Sequence, residues 1–287
     1  MHPSLLPACD GVPAAKVAAR AVKGRYRWLV SEVEILTPRG VRLQGTFVNP
    51  VDATDAAVLF SHSFLCDRGS SPHFPKLSKM YRSLGYATLI FDYSGHGYSD
   101  DDKVTVDHRT EDLRAASGWL ADQGFTRQLL HAHSTGCLSA FKAHPFAVDA
   151  MFVTSAVLGP VTYEWDRIFA PAQLDQLDSR GFMQVPDDSP GPRETFTLTS
   201  QTLVDLSLTK APELLRDLEV PTLLVYDRAD ESAGLVISAT EAFPLFPDGS
   251  RLEIVQDAEF SDQGNLERLS NLARDWILMQ VPREGRH

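Results

Sequence analysis

The sequence predicts an α/β domain with a doubly wound, mostly parallel eight-stranded sheet that opens on an antiparallel hairpin. Three observations carry this. From residue 30 onward, short apolar or β-branched runs alternate with segments of helical periodicity, the pattern of repeated strand–helix crossovers. Six of the runs are apolar on both faces, as strands inside a covered parallel sheet must be. The chain has 287 residues, 43% apolar and 23% charged, which suits a globular protein long enough for one such domain and an insertion.

Val30–Thr37 and Val41–Val48, separated by Pro38-Arg39-Gly40, read as the hairpin. The remaining strands are Ala56–Phe60, Tyr86–Phe91, Gln128–Ala132, Ala150–Ser155, Pro221–Tyr226 and Arg251–Val255. Helical spacing near 3.6 joins Phe74, Leu77, Met80, Tyr81 and Leu84, then Leu113, Ala116, Trp119 and Leu120. The last helix carries Leu266, Leu269, Leu272, Ala273, Trp276 and Ile277 on one stripe. Residues 159–208 break the alternation and contain Pro-Asp-Asp-Ser-Pro-Gly-Pro, so they read as an insertion above the sheet, where insertions form lids. Its Trp165, Phe169, Phe182 and Phe196 are expected either to wall a hydrophobic pocket or to pack the insertion onto the sheet. The expected organisation is an N-terminal extension (1–29), a core (30–158 and 209–280), the lid (159–208) and a tail (281–287).

Charge and cysteines narrow the function classes. With 27 Lys+Arg against 38 Asp+Glu, the net charge is −11, which repels phosphate backbones and anionic lipid and argues against nucleic acid or a membrane surface as partner. No stretch reaches the about 20 apolar residues needed to span a bilayer, and the basic, Ala-rich first 27 residues lack the apolar core of a secretory signal. Cys9, Cys66 and Cys137 are an odd, widely spaced set. They suggest no disulfide framework and a reducing, cytoplasmic compartment, with Cys66 and Cys137 as inert buried thiols. The histidines lack metal-ligand spacing and no phosphate loop is present, so neither metal nor cofactor is implied. A small-molecule substrate is the expected partner, with a homodimer left open.

In such a sheet ligands bind beyond the carboxyl ends of the strands. Leu129-Leu130-His131-Ala132-His133-Ser134-Thr135-Gly136-Cys137 leaves a strand and enters a helix through a small-x-Ser-x-Gly turn. A turn this tight strains Ser134, requires small residues two before and two after it, and projects the hydroxyl into the crevice. The Thr135 amide then sits at a helix N-terminus, ready for an oxyanion. The plainer alternative is a helix N-cap serine.

Phe60-Ser61-His62-Ser63-Phe64 follows the third strand, and Phe91-Asp92-Tyr93-Ser94-Gly95-His96-Gly97-Tyr98-Ser99-Asp100 follows the fourth. With these segments the sequence resembles the α/β-hydrolase family, in its cinnamoyl/feruloyl esterase-like and serine-aminopeptidase-like branch, from Val30 to Met279. Its most specific stretch is Tyr86 to Ser99. The resemblance implies the α/β-hydrolase fold, Ser134 as nucleophile, the Phe64 and Thr135 amides as oxyanion hole, and Asp230 as triad acid. Read alone, Asp230 is equally a loop carboxylate or a helix cap. The family's His-Gly is His62-Ser63 here, and a glycine after the seventh strand is Asp227.

The decisive departure follows the last strand, where similar proteins carry the general base. This chain reads Asp257-Ala258-Glu259-Phe260-Ser261-Asp262, with Phe260 at the histidine position and no later histidine before His287. Loss of the base in a triad enzyme costs on the order of 10⁶ in turnover. His62, His133 and Glu259 are the candidate substitutes; His96 and His131 read as structural. Three readings follow: an atypical, non-hydrolytic enzyme of lyase, isomerase or cyclase type acting on a hydrophobic carbonyl compound; a serine esterase with a relocated base; and a catalytically dead binding protein.

Overall fold

The computed structural model describes residues 28–53, 55–71, 73–189, 191–255 and 263–283. The N-terminal extension up to residue 27, Glu259 and Phe260 therefore lie outside the described residues.

The hairpin pairs β1 (Trp28–Leu36) with β2 (Arg42–Pro50) in antiparallel register, Trp28 opposite Pro50 and Leu36 opposite Arg42. Four shorter strands and their helices follow: β3 (Ala56–Ser61), α1 (Phe74–Ser83), β4 (Ala87–Phe91), α2 (Val106–Asp122), β5 (Arg127–His133), α3 (Gly136–Ala143) and β6 (Val148–Thr154). Residues 159–208 hold α4 (Trp165–Ile168), α5 (Pro171–Arg180), β7 (Phe182–Pro186), β8 (Thr195–Thr199) and α6 (Ser200–Ser207). The chain then runs through α7 (Ala211–Leu214), β9 (Thr222–Asp227), α8 (Arg228–Ser232), α9 (Leu235–Ala242), β10 (Arg251–Val255) and α10 (Gln263–Gln280). Every one of the eight expected strands is found within two residues at each end.

The sheet order is β1-β2-β4-β3-β5-β6-β9-β10. Only the pairs made by β2 are antiparallel; from β4 to β10 all run parallel. Alternate strand residues face opposite layers. Val58, Phe60, Leu129, Phe152 and Val225 pack against Phe74, Leu77 and Tyr81 of α1 and Leu269, Ala273, Trp276 and Ile277 of α10. On the other face Leu59, Leu130, Met151, Val153 and Leu224 meet Leu113, Ala116 and Leu120 of α2 and Leu138 and Phe141 of α3. Burying both faces is what the doubly apolar strands required.

The insertion adds a feature the sequence reading lacks, the antiparallel β7–β8 hairpin. It is tied to the segment entering α2: Val104 N donates to Thr197 O (2.9 Å), Thr202 Oγ1 to Val104 O (2.5 Å) and Val106 N to Asp205 Oδ2 (3.1 Å). Among the described residues no helix is long and apolar enough to cross a membrane.

Candidate active site

The order β3-β5-β6-β9 brings four strand ends side by side: the singled-out Phe64 lies after β3, Ser134 and Thr135 after β5 and Asp230 after β9, and Ser155 lies after β6. Ser134 has φ 53°, a left-handed conformation a serine adopts only when its surroundings impose it. Its N–H donates to Thr154 O (2.9 Å), and its own carbonyl accepts from Cys137 N (3.0 Å) as α3 begins. Gly136 explains the small residue two positions on. A Cβ there would lie 2.5 Å from His62 O and 2.6 Å from Ser61 O, so the elbow and the loop after β3 touch backbone to backbone.

That loop is fixed from several sides. Tyr93 Oη bonds Ser61 Oγ (2.6 Å), which donates on to Gly136 O (3.0 Å). Ser63 Oγ and Thr135 Oγ1 lie 3.3 Å apart. Neither the Phe64 nor the Thr135 amide donates to another described residue, so both N–H groups are left for a ligand oxygen.

His62 is buried and uses both ring nitrogens on backbone. Nδ1 donates to Ser63 O (2.8 Å), and Nε2 accepts from Tyr93 N (3.3 Å). A backbone N–H can only donate, so the ring is neutral with its proton on Nδ1 and has no lone pair left for Ser134. Burial, reinforced by the Arg109 charge, pushes this imidazole down to about 3. His62 is thus a loop brace rather than the substitute base. His133 is half-buried, its Nδ1 bonded to Thr154 Oγ1 (2.9 Å); burial lowers it to about 4 against the pull of Asp227. His131 is buried between the sheet and α1, with Nδ1 on Tyr81 Oη (3.3 Å) and its ring stacked on Phe60. His96 packs against Phe196, its Nδ1 on Ser94 O (2.9 Å). These last two are structural, as expected.

Asp230 lies in the first turn of α8 rather than on a loop. Asp227 caps the helix by accepting from Asp230 N (3.0 Å), while Asp230 Oδ2 accepts from Asp227 N (2.9 Å), a reciprocal capping box. The same Oδ2 accepts from Ser155 Oγ (2.9 Å), the residue after Thr154, and so links Asp230 to the elbow. Burial, then the neighbouring Asp227 charge, raises the Asp230 carboxyl to about 7. Asp227, which the sequence comparison flagged as an odd replacement for glycine, is there as a cap.

Of the aromatic residues expected to wall a pocket, Phe169 and Phe196 are buried core residues. Trp165 is half-buried in a stacked ladder, 4.5 Å from Tyr163 and 5.6 Å from Phe169. None of these rings lines the small cavity beside the Phe64 and Thr135 amides, whose wall is Phe64, Val104 to Val106, Arg109, Thr135, Leu138, Thr202 and Leu206. Cys137 is a free buried thiol as expected, but Cys66 is disulfide-bonded. Pairing depends on spatial approach that cysteine spacing does not encode.

The sequence reading missed Arg109, Ser61, Thr154 and Ser155. Ser155, immediately after an apolar strand and also at φ 53°, was open to the same strand-end logic that found Ser134; Arg109 left no local signal.

No curated protein sequence matches the chain. Solved structures resemble it closely in fold. GrgF, an alpha/beta hydrolase from Penicillium sp. sh18, is 16% identical with TM-score 0.69, over 88% of this chain and 99% of that one. DcsB in complex with its substrate analogue is 18% identical with TM-score 0.67, again over 88% and 99%. The esterase domain of a Rhodothermus marinus protein is 24% identical with TM-score 0.62 over the same shares. The alpha/beta hydrolase family profile matches residues 58–258, a span that runs from β3 through Ser134 and Asp230. With the sheet order and the strained Ser134 turn, that match settles the family: the chain belongs to the alpha/beta hydrolases.

Proposed function

We propose that the chain is an alpha/beta-hydrolase-fold enzyme that binds the carbonyl of a hydrophobic small molecule at the Phe64 and Thr135 amides and transforms it without an acyl-enzyme, as a lyase, isomerase or cyclase. One observation carries this reading: the Ser134 hydroxyl makes no hydrogen bond to any described residue, so no described imidazole activates it. The position where the family places its base is Phe260 in the sequence. A protonated serine beside two free amides still orients and polarises a carbonyl, which suits chemistry driven by positioning and oxyanion stabilisation.

A second reading, a serine esterase with His133 as relocated base, is favoured by the histidine's hydrogen bond. If Thr154 Oγ1 donates to Ala132 O (3.5 Å), His133 Nδ1 is the donor to Thr154 and Nε2 keeps its lone pair. Fluorophosphonate labelling separates the two. The first reading expects negligible labelling of the wild type, labelling at Ser134 in Phe260→His, and none in Phe260→His/Ser134→Ala. Rapid wild-type labelling that His133→Gln abolishes would establish the esterase instead.

A further inference from the structure

Arg109 is a buried guanidinium, 3% exposed, on the inner face of α2. Among the described residues no carboxylate is in ion-pair distance of it; Asp112, one turn on, pairs with Arg39 (2.7 Å) instead. Its partners are the oxyanion loop and an aromatic face. Nη2 donates to His62 O and approaches Ser63 O at 3.5 Å, and Cζ lies 4.3 Å above the Tyr93 ring. Nε is buried without a partner. Asp112 therefore acts on the guanidinium only at longer range, and a buried cation without a direct ion pair is costly, so its position calls for a reason.

The reason lies in which peptide it holds. Ser63 O and the Phe64 N–H are two ends of one peptide unit. The oxygen end receives His62 Nδ1–H (2.8 Å) and faces the Arg109 charge, while the N–H end is one of the two free amides. Donors on the oxygen of an amide polarise it and strengthen the N–H as a donor, the more so in a low-dielectric interior. The cavity that Arg109 shares with Phe64 and Thr135 has a volume of about 10 Å³, room for one water and no more. The polar contacts of the guanidinium are with the loop itself, so the role argued for it runs through the loop.

We propose that Arg109 is a positioning residue for the oxyanion hole: its buried charge, relayed through the Ser63 carbonyl beside His62, strengthens the Phe64 N–H as hydrogen-bond donor. The inference rests on the oxyanion role given to Phe64 above, yet its test needs no substrate. Ser63-Phe64 is the sole Ser-Phe dipeptide in the chain. Protein grown with carbonyl-labelled serine and nitrogen-labelled phenylalanine thus gives one carbonyl-to-amide NMR cross-peak, that of this peptide. The wild-type amide proton is expected downfield of an unstructured phenylalanine amide. Arg109→Met, which keeps length and loses charge, moves it upfield, and Arg109→Lys restores most of the shift. Loss of packing alone would move Met and Lys together, and that result would overturn the proposal. So would a wild-type proton at the unstructured position, which needs no variant to fold. In the Phe260→His background, turnover of p-nitrophenyl butyrate is expected to fall about tenfold in kcat with KM unchanged for Arg109→Met, a fraction of the 10²–10³ lost with a whole oxyanion donor. A cross-peak that behaves as expected while Phe260→His stays inert would leave the polarisation of the Phe64 amide by Arg109 standing and overturn the oxyanion role given to that amide.

Discussion

Substituting Gly136 by alanine tests the elbow and the oxyanion loop in one step. The added Cβ would sit 2.5 Å from His62 O, 2.6 Å from Ser61 O and 2.8 Å from Ser61 Oγ. Carbon-to-carbonyl contacts settle near 3.3 Å, so the loop must open by about 0.8 Å. Because the obstructing atoms are mostly backbone, no side-chain rotation relieves the clash. Overpacking of this kind costs about 1–3 kcal/mol, and a misplacement near 1 Å costs about 100-fold in rate. Gly118 supplies the control. It lies in α2 with nothing within 4 Å of its would-be Cβ, so Gly118→Ala should gain about 0.8–1 kcal/mol from helix propensity. Thermal and urea unfolding of both variants, with fluorophosphonate labelling in the Phe260→His background, is the assay. Gly136→Ala should melt several degrees lower and lose most labelling, while Gly118→Ala melts higher and labels normally. Equal melting of Gly136→Ala and wild type with labelling intact would refute the claim that loop and elbow are in backbone contact.

Three further outcomes are expected. Asp230, raised to about 7 when folded from 3.8, binds a proton more tightly in the folded protein, so its contribution is full below about pH 4 and is lost as pH rises toward 7; wild type should lose about 1.4 kcal/mol per pH unit relative to Asp230→Asn across that window, and a pH-independent difference in urea unfolding would contradict the buried geometry. His62 has the opposite sign: lowered to about 3 from 6.5, its neutral form is fully stabilising above pH 6.5 and costs about 2 kcal/mol by pH 5, so His62→Gln should narrow the gap to wild type as pH falls from 7 to 5, and a gap that widens would mean the ring is accessible. If Trp165 walls a substrate pocket, Trp165→Ala should weaken ligand binding more than it lowers Tm, whereas Phe169→Ala, removing a buried ring, should lower Tm by the equivalent of about 3–5 kcal/mol; equal effects of Trp165→Ala in both assays would make the whole ladder packing.

The strands were legible because a parallel sheet covered on both faces demands runs such as Ala56–Phe60 that polar loops cannot imitate. The Ser134 turn was legible because its geometry admits only small residues at Ala132 and Gly136, so the constraint is written locally. What stayed hidden depends on contacts between distant segments. Arg109 reaches His62 O across 47 positions, and nothing in the helical periodicity of α2 marks an inward-facing arginine. Asp227, where the resembled family has a glycine, gained a role only with the α8 cap, and the choice between pocket wall and packing stayed open for Phe182 and Phe196 because a short hairpin with eight residues between its strands carries no tight-turn signal.

The site's electrostatics run in one direction. His62, His73, His96 and His131 are driven by burial toward the neutral imidazole, and Asp92 and Asp230 toward the neutral acid. Burial penalises whichever form is charged, yet the Arg109 guanidinium keeps its charge beside the loop. Together with the Phe64 and Thr135 amides and the α3 N-terminus, it leaves a pocket that favours negative charge on a ligand oxygen and offers little to shuttle protons. A hydrolase cycle needs a base that gains and returns a proton twice per turnover; a reaction that develops and collapses an oxyanion while the substrate rearranges does not. Under the proposed non-hydrolytic reading the retained elbow and the Phe260 substitution are compatible, since that chemistry would need the serine hydroxyl only to orient the carbonyl while staying protonated.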